Sequence, residues 1–250
     1  MDQIYIPKKR EGFSTGSYVV IKPLETEKEI KPFFYSINYL EPIKVRIIKE
    51  IFKTIDNLIK TENILVTGSF LDKGFTFHDI DVMIISKEKA NTTHIKEKLN
   101  KNICTGFHLI PINNQTLIKG LSTDPLYRSM LSRCVSKKRF IYPTKPRINY
   151  KLLDLHLLKS RLFIDNFNDL SGNEKYKLLT NLISIKEFIA KKEVSKTRID
   201  TVINKLFGEE TVQKTKNNQL SKDFLDKYKK VYEDTKNKLL KGIENESKQK

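Results

Sequence analysis

The sequence predicts an α+β protein, in which a sheet with flanking helices is followed by an all-helical C-terminal region. Two patterns predict this class. Over 43–149, short apolar strand-like runs alternate with stretches of helical periodicity, whereas over 150–250 apolar residues recur at helical spacing almost throughout. The 250 residues are enough for one large domain or two modest ones. We therefore expect an N-terminal extension at 1–42, a sheet domain at 43–149 and a helical domain at 150–250.

The N-terminal extension is expected to be a β-hairpin. Ile4–Ile6 and Tyr18–Ile21 are strand-like, and the stretch from Gly12 to Gly16 would form the turn between them.

The sheet domain begins with helical periodicity and continues with strands. Apolar side chains from Val45 to Ile59 predict an amphipathic helix over 43–61. Asp124 is a plausible N-cap, with Pro125 at the first helical position, for a later helix. The remaining predictions are strands at Ile64–Thr67, Ile80–Ile85 and Phe107–Ile112, and helices from His94 to Asn100 and from Pro125 to about Val135.

Four helices are predicted in the C-terminal region, at 150–167, 173–191, 196–207 and 219–243. The last carries an apolar stripe from Phe224 to Leu240. Because most amphipathic helices bury their own apolar face, core packing is the favoured interpretation, with a protein partner docking on this region as the alternative.

Net charge is the most informative feature of the composition. Lys and Arg exceed Asp and Glu by 47 − 30 = +17. Such a field attracts polyanions and makes nucleic acid the expected partner. A lysine-rich surface without a specific partner is the alternative.

Several classes are excluded. No apolar run approaches the ~18 residues that cross a bilayer, and the N-terminus lacks a signal-peptide pattern, so we expect a cytoplasmic protein without a membrane partner. There is no P-loop, GxSxG or HExxH motif. The two cysteines and four histidines lack zinc-ligand spacing.

A possible phosphate-binding turn follows the first strand of the sheet domain. Val66 and Thr67 end the strand, and Gly68 and Ser69 follow. Glycine permits close backbone approach, the next N–H groups can bind an anion, and the Ser69 hydroxyl is a further donor. Most Gly-Ser pairs are ordinary turns, so this motif needs support from its surroundings.

That support comes from Asp79 and Asp81. Strand residues two apart face the same side, so these carboxylates are presented together. No adjacent Arg or Lys neutralises them, and a hard divalent cation is the outstanding use of such a pair. Alone, the pair would be read as two solvated aspartates. After a strand and a Gly-Ser turn, it indicates a metal site.

Gly68-Ser69 with nine intervening residues before Asp79-Ile80-Asp81 resembles the motif of the DNA polymerase β nucleotidyltransferase superfamily. The resemblance covers roughly 43–112. It implies a nucleotidyltransferase-like mixed sheet with helices packed against it. It also implies that Gly68 and Ser69 hold the triphosphate of an NTP, that Asp79 and Asp81 bind Mg²⁺ or Mn²⁺, and that a hydroxyl attacks the α-phosphate with release of pyrophosphate.

The chain departs from the family pattern at the third carboxylate, which active members usually carry on the next core strand. In 106–112 there is no Asp or Glu, and His108 is the polar side chain. A histidine can ligate a metal or act as a base, so His108 joins Asp79 and Asp81 as a candidate catalytic residue. A structural histidine is an equal alternative. Asp124 and Asp154 are other possible sources of a carboxylate.

A basic stretch over 128–147 contains no acidic residue and interleaves Phe140 and Tyr142. Basic groups neutralise phosphates and aromatic faces stack on unpaired bases, so this stretch predicts a nucleic-acid contact. A solvated surface is the alternative. The candidate nucleic-acid-binding residues are Arg128, Arg133, Lys137, Lys138 and Arg139. Lys73, between the two halves of the motif, is a further candidate for the nucleotide phosphates.

The expected function is therefore transfer of a nucleotide from an NTP to a hydroxyl acceptor, with RNA or DNA as the expected acceptor. The alternative is a nucleotidyltransferase-like protein without full catalytic equipment that binds nucleic acid or a partner protein.

Overall fold

A computed structural model describes residues 30–142 and 144–247. The predicted strands Ile4–Ile6 and Tyr18–Ile21, and with them the N-terminal hairpin, lie outside these residues.

The described residues contain a five-stranded mixed sheet, which confirms the α+β class. Its strands are β1 (Phe33–Tyr35), β2 (Asn63–Thr67), β3 (Asp79–Ile85), β4 (Gly106–Ile112) and β5 (Cys134–Ser136). Their order across the sheet is β1-β5-β2-β3-β4. β3 and β4 are parallel, and the other neighbouring strands are antiparallel.

Four helices pack on the two faces of this sheet: α1 (Pro42–Asp56), α2 (Thr92–Asn102), α3 (Asn114–Thr123) and α4 (Pro125–Leu131). The alternation of side chains along β3 divides the core. Ile80, Val82 and Ile84 pack with α1 and α2, whereas Met83 and Ile85 pack with α3 and α4. Asp79 and Asp81 share the second face, beyond its apolar part.

Most predicted elements of the sheet domain are confirmed, with three corrections. α1 ends at Asp56, not at 61, and the Asp56 carboxylate accepts a hydrogen bond from the Thr61 hydroxyl in the following turn. α3 was not predicted. α4 begins with Asp124 as N-cap as expected, but it ends at Leu131 because the residues predicted to continue it form β5, which pairs with β1 and β2.

The C-terminal part is helical, as predicted. Its helices are α5 (Tyr150–Asp165), α6 (Gly172–Ile189), α7 (Lys196–Phe207), α8 (Thr211–Lys216) and α9 (Lys222–Ser247). α8 is additional to the prediction. A separate core forms here, in which the Phe163 and Tyr228 rings stack with centroids 4.2 Å apart. The apolar stripe of α9 contributes to this core, which confirms the packing interpretation.

Among the described residues, no helix has both the length and the apolar character needed to cross a membrane.

Candidate functional site

The candidate site lies where three neighbouring strands bring polar residues into one row. Thr67 at the end of β2 is opposite Asp81 on β3, and Asp81 is beside His108 on β4. Asp79 lies two residues before Asp81 on the same face of β3, beside Gly106 of β4. Sheet pairing therefore assembles residues that are far apart in the sequence.

Gly68 turns the chain directly over Asp81. Its φ of 84° lies in the region that favours glycine. A Cβ at this position would lie 2.2 Å from Oδ2 of Asp81, much closer than a real contact. Ser69 follows as the exposed first residue of a short 3₁₀ turn, Ser69–Leu71. The Gly-Ser turn and the aspartate strand are thus in direct contact.

The two aspartates are available for a ligand. Asp79 is exposed and Asp81 is half-buried, and within the described residues neither forms an ion pair with Arg or Lys. Two carboxylates on one strand face fit Mg²⁺, which proteins commonly bind through one or two carboxylates plus substrate phosphates. Over 30–142 and 144–247, no group of three or more His, Cys, Asp or Glu side chains is placed to hold a metal by itself. A cation here would therefore need oxygen ligands from substrate or water.

His108 is hydrogen-bonded to Asp81. Its Nδ1 lies 2.9 Å from Oδ1 of the carboxylate. An ionised carboxylate only accepts hydrogen bonds, so Nδ1 donates and Nε2 of a neutral ring carries the free lone pair. The His108 side chain is 61% exposed, so this lone pair is accessible from solvent. The position that lacks a carboxylate thus carries an oriented imidazole.

An open groove of about 360 Å³ lies between β4 and α2 and has His108 among its lining residues. β4 supplies Phe107, His108 and Leu109 to its wall. One face of α2 supplies polar side chains, namely Thr92, Thr93, Lys96, Glu97 and Asn100. His108 is therefore both a lining residue of this groove and a hydrogen-bond partner of Asp81.

The other possible carboxylates are used differently. Asp124 is buried, and its Oδ1 accepts the N–H of Leu126 as the N-cap of α4. The same atom lies 3.3 Å from Nε2 of the buried His156. Asp154 is exposed on α5. Neither forms part of the row described above.

The predicted nucleic-acid residues divide into two groups. Arg128 donates to the carbonyls of Leu121 and Thr144, Arg133 binds the Asp72 carboxylate, and Lys137 donates to Asp56.

The second group consists of Lys138 and Arg139, which are exposed. The candidate nucleotide ligand Lys73 is also exposed. Three of the five predicted nucleic-acid residues therefore have structural partners within the chain, and their contact with nucleic acid stays a prediction.

Sequence reasoning missed the residues that hold the loop between the two halves of the motif, namely Glu41, Lys44, Asp72 and Lys196. Lys44 lies in the first turns of α1 and is fully buried. A charged residue at an inward helical position was the available signal. Asp72 gave no signal, because its partners are distant in the sequence.

No protein-family profile, curated protein sequence or solved structure matches this chain.

Proposed function

We propose that this chain is a nucleotidyltransferase of the DNA polymerase β-like superfamily, with the corresponding fold in its sheet domain. It transfers a nucleotide from an NTP to a hydroxyl acceptor and uses Mg²⁺ or Mn²⁺. Nucleic acid is the acceptor class we favour, because of the net charge of +17.

One observation carries the proposal: Asp81 lies between the Gly68 turn and His108. Phosphoryl transfer needs a phosphate cradle, carboxylates for a cation and a group that receives the proton of the attacking hydroxyl. Gly68 approaches the Asp81 carboxylate from one side, and the His108 imidazole is bonded to it from the other. A candidate group for each of the three requirements therefore lies at or directly beside Asp81, which supports the proposal.

The chemistry follows from this geometry. Ser69 and the backbone of its turn bind the triphosphate. Asp79 and Asp81 would hold the cation, whose chemistry there would be charge neutralisation at the phosphates. Nε2 of His108 accepts the proton of the acceptor hydroxyl. The acceptor oxygen then bonds to the α-phosphorus as the bond to the β-phosphate oxygen breaks, and pyrophosphate leaves.

A second candidate function is binding without chemistry, in which the fold holds nucleic acid or a protein partner. The histidine at the position of the family's third carboxylate favours it. Exposed leucines on α5, Leu155, Leu158 and Leu162, are a surface that a partner can cover.

The test is transfer of label from α-labelled NTPs to RNA and DNA oligonucleotides with Mg²⁺ or Mn²⁺. We expect Asp81→Ala to reduce transfer about 10³-fold, because a bound cation contributes several kcal/mol to phosphoryl transfer and each ~1.4 kcal/mol is a factor of ten. Asp154→Ala, an exposed aspartate outside the row, is the matched control and should retain full transfer.

Two outcomes separate the candidates. Absence of transfer with every nucleotide, cation and acceptor would remove the enzymatic proposal. Salt-dependent RNA binding that Asp81→Ala leaves unchanged would then support the second function.

A further inference from the structure

The loop Asp72–Gly74, which follows the Gly-Ser turn, is held by three separate parts of the chain. It belongs to the stretch without helix or strand that joins Ser69–Leu71 to β3. Irregular loops of this kind are usually the mobile parts of a fold. Here the loop joins the proposed phosphate-binding turn to the strand that carries the aspartates, so the contacts that restrain it affect the site.

α1 provides the first restraint. Lys44 is fully buried, and its ammonium donates to the carbonyls of Asp72, at 2.6 Å, and Gly74, at 2.5 Å. The Glu41 carboxylate accepts the Gly74 N–H at 2.7 Å and forms an ion pair with Lys44 at 3.1 Å. A buried ammonium is costly unless it is paired and hydrogen-bonded. Among the described residues, its hydrogen bonds and its ion pair go to the loop or to Glu41, which also binds the loop.

Arg133, between α4 and β5, provides the second restraint. Its guanidinium donates through Nη1 to the Asp72 carboxylate and through Nη2 to the Leu71 carbonyl, at 2.6 Å for the latter. Leu71 is the last residue of the 3₁₀ turn that Ser69 begins. Arg133 therefore binds the turn itself as well as the loop.

The helical C-terminal region provides the third restraint. Lys196, the first residue of α7, donates through Nζ to Oδ1 of Asp72 at 2.9 Å. Its backbone N–H donates to the Ser132 hydroxyl at 2.9 Å, next to Arg133. Burial raises the pKa of Asp72, but the charges of Lys196 and Arg133 outweigh this and hold that pKa below its usual value.

We propose that Lys196 is a positioning residue for nucleotide binding, through which the helical C-terminal region fixes the turn that receives the triphosphate. This inference rests on the proposed function. Lys196 binds Asp72, Asp72 is bonded to Arg133, and Arg133 is bonded to Leu71 of the turn. The helical region is thus a support of the site in addition to any role in choosing the acceptor.

The test compares Lys196→Met with Lys205→Met, an exposed lysine on the same helix. Hydrogen exchange of peptides covering 68–78 is measured without nucleotide, and KM for the NTP and kcat are measured by label transfer. In Lys196→Met we expect exchange to be about two- to fivefold faster and KM to rise about two- to fivefold with kcat unchanged, which is the size of effect of a partly exposed ion pair. Lys205→Met should behave as the wild type. Lys196→Arg, which keeps the positive charge, should show exchange and KM close to those of the wild type.

Each arm can overturn the inference separately. Unchanged exchange in Lys196→Met would show that Lys196 does not hold the turn. Faster exchange with unchanged KM would show that it holds the turn without positioning nucleotide. A wild-type protein that neither binds nor transfers nucleotide would overturn the proposed function and the nucleotide part of this inference, while the exchange result would still decide whether the restraint exists.

Discussion

The polar end of the sheet and the helical region use charged side chains differently. In the helical region they are paired with neighbours: Glu187 with Arg198 at 3.1 Å, and Asp200 with the Tyr176 hydroxyl at 2.7 Å. At the end of the sheet, Asp79 has no hydrogen-bonding or ionic partner among the described residues.

This difference distinguishes charged side chains that hold the fold together from charged side chains that can still bind a ligand. A buried or half-buried charge with a fixed partner stabilises or orders the fold around it, and it has little capacity left for a ligand. Carboxylates that stand together without basic partners retain that capacity. The contrast therefore supports the sheet end as the site and the helical core as its scaffold.

The largest expected effect is a loss of stability from a substitution in the helical core. Phe163→Ala removes the ring that stacks on Tyr228 at the centre of the helical core, and it should lower the free energy of unfolding by about 3–5 kcal/mol. Denaturant unfolding followed by circular dichroism measures this. Leu158→Ala, at an exposed position of the same helix, is the control and should change stability by less than about 0.5 kcal/mol. Equal losses in both variants would contradict the assignment of the core.

A smaller effect should arise at the site without loss of stability. His108→Ala removes the imidazole that Asp81 orients, and we expect kcat to fall about 10²-fold, because a proton acceptor typically contributes that much or more. NTP affinity should remain, since the proposal assigns the triphosphate to the Gly68-Ser69 turn and not to His108. Label transfer and nucleotide titration give the two values.

His94→Ala is the control for this variant, because His94 is an exposed histidine on α2 outside the row. If removal of His108 weakened NTP binding and left kcat intact, its assignment as proton acceptor would be wrong.

The smallest effect concerns the loop that joins the two halves of the site. The N–H of Gly74, together with the backbone N–H of Glu41 and the charge of Lys44, lowers the pKa of Glu41 from 4.5 to about 2. Because the pKa is depressed in the folded protein, the stabilisation is complete above pH 4.5 and is lost as the pH falls towards 2. The amide resonance of Gly74 in a ¹⁵N NMR titration should therefore shift with a midpoint of about 2. In Glu41→Gln this shift should disappear, and a midpoint near 4.5 in the wild type would contradict the contact.

Much of the fold could be predicted because local chemistry specifies it. The Val- and Ile-rich runs of β2 and β3 are strands by residue type and length. Asp124 is the N-cap that the sequence indicated. Its carboxylate accepts a hydrogen bond from the Leu126 N–H, and Pro125 follows it as the first residue of the helix. β5 was missed because three residues have little local signal, and their strand geometry comes from pairing with β1 and β2.

The candidate site was predictable in part for the same reason. Strand periodicity placed Asp79 and Asp81 on one face, and the next strand indicated His108. The register that puts His108 beside Asp81 depends on tertiary packing. The basic stretch lacks acids locally, so the sequence did not indicate that Arg133 and Lys137 pair with Asp72 and Asp56, which are more than 60 residues away.

The contact between Gly68 and Asp81 has an evolutionary consequence. Since a Cβ at Gly68 would lie 2.2 Å from Oδ2 of Asp81 and would displace that carboxylate, the two positions are not free to vary independently. In a saturation library selected for nucleotide transfer, replacements of Gly68 should be strongly depleted as long as Asp81 is kept. Distant homologues of this chain should accordingly be recognisable by this glycine-aspartate pair, even where the loop between them has changed in length.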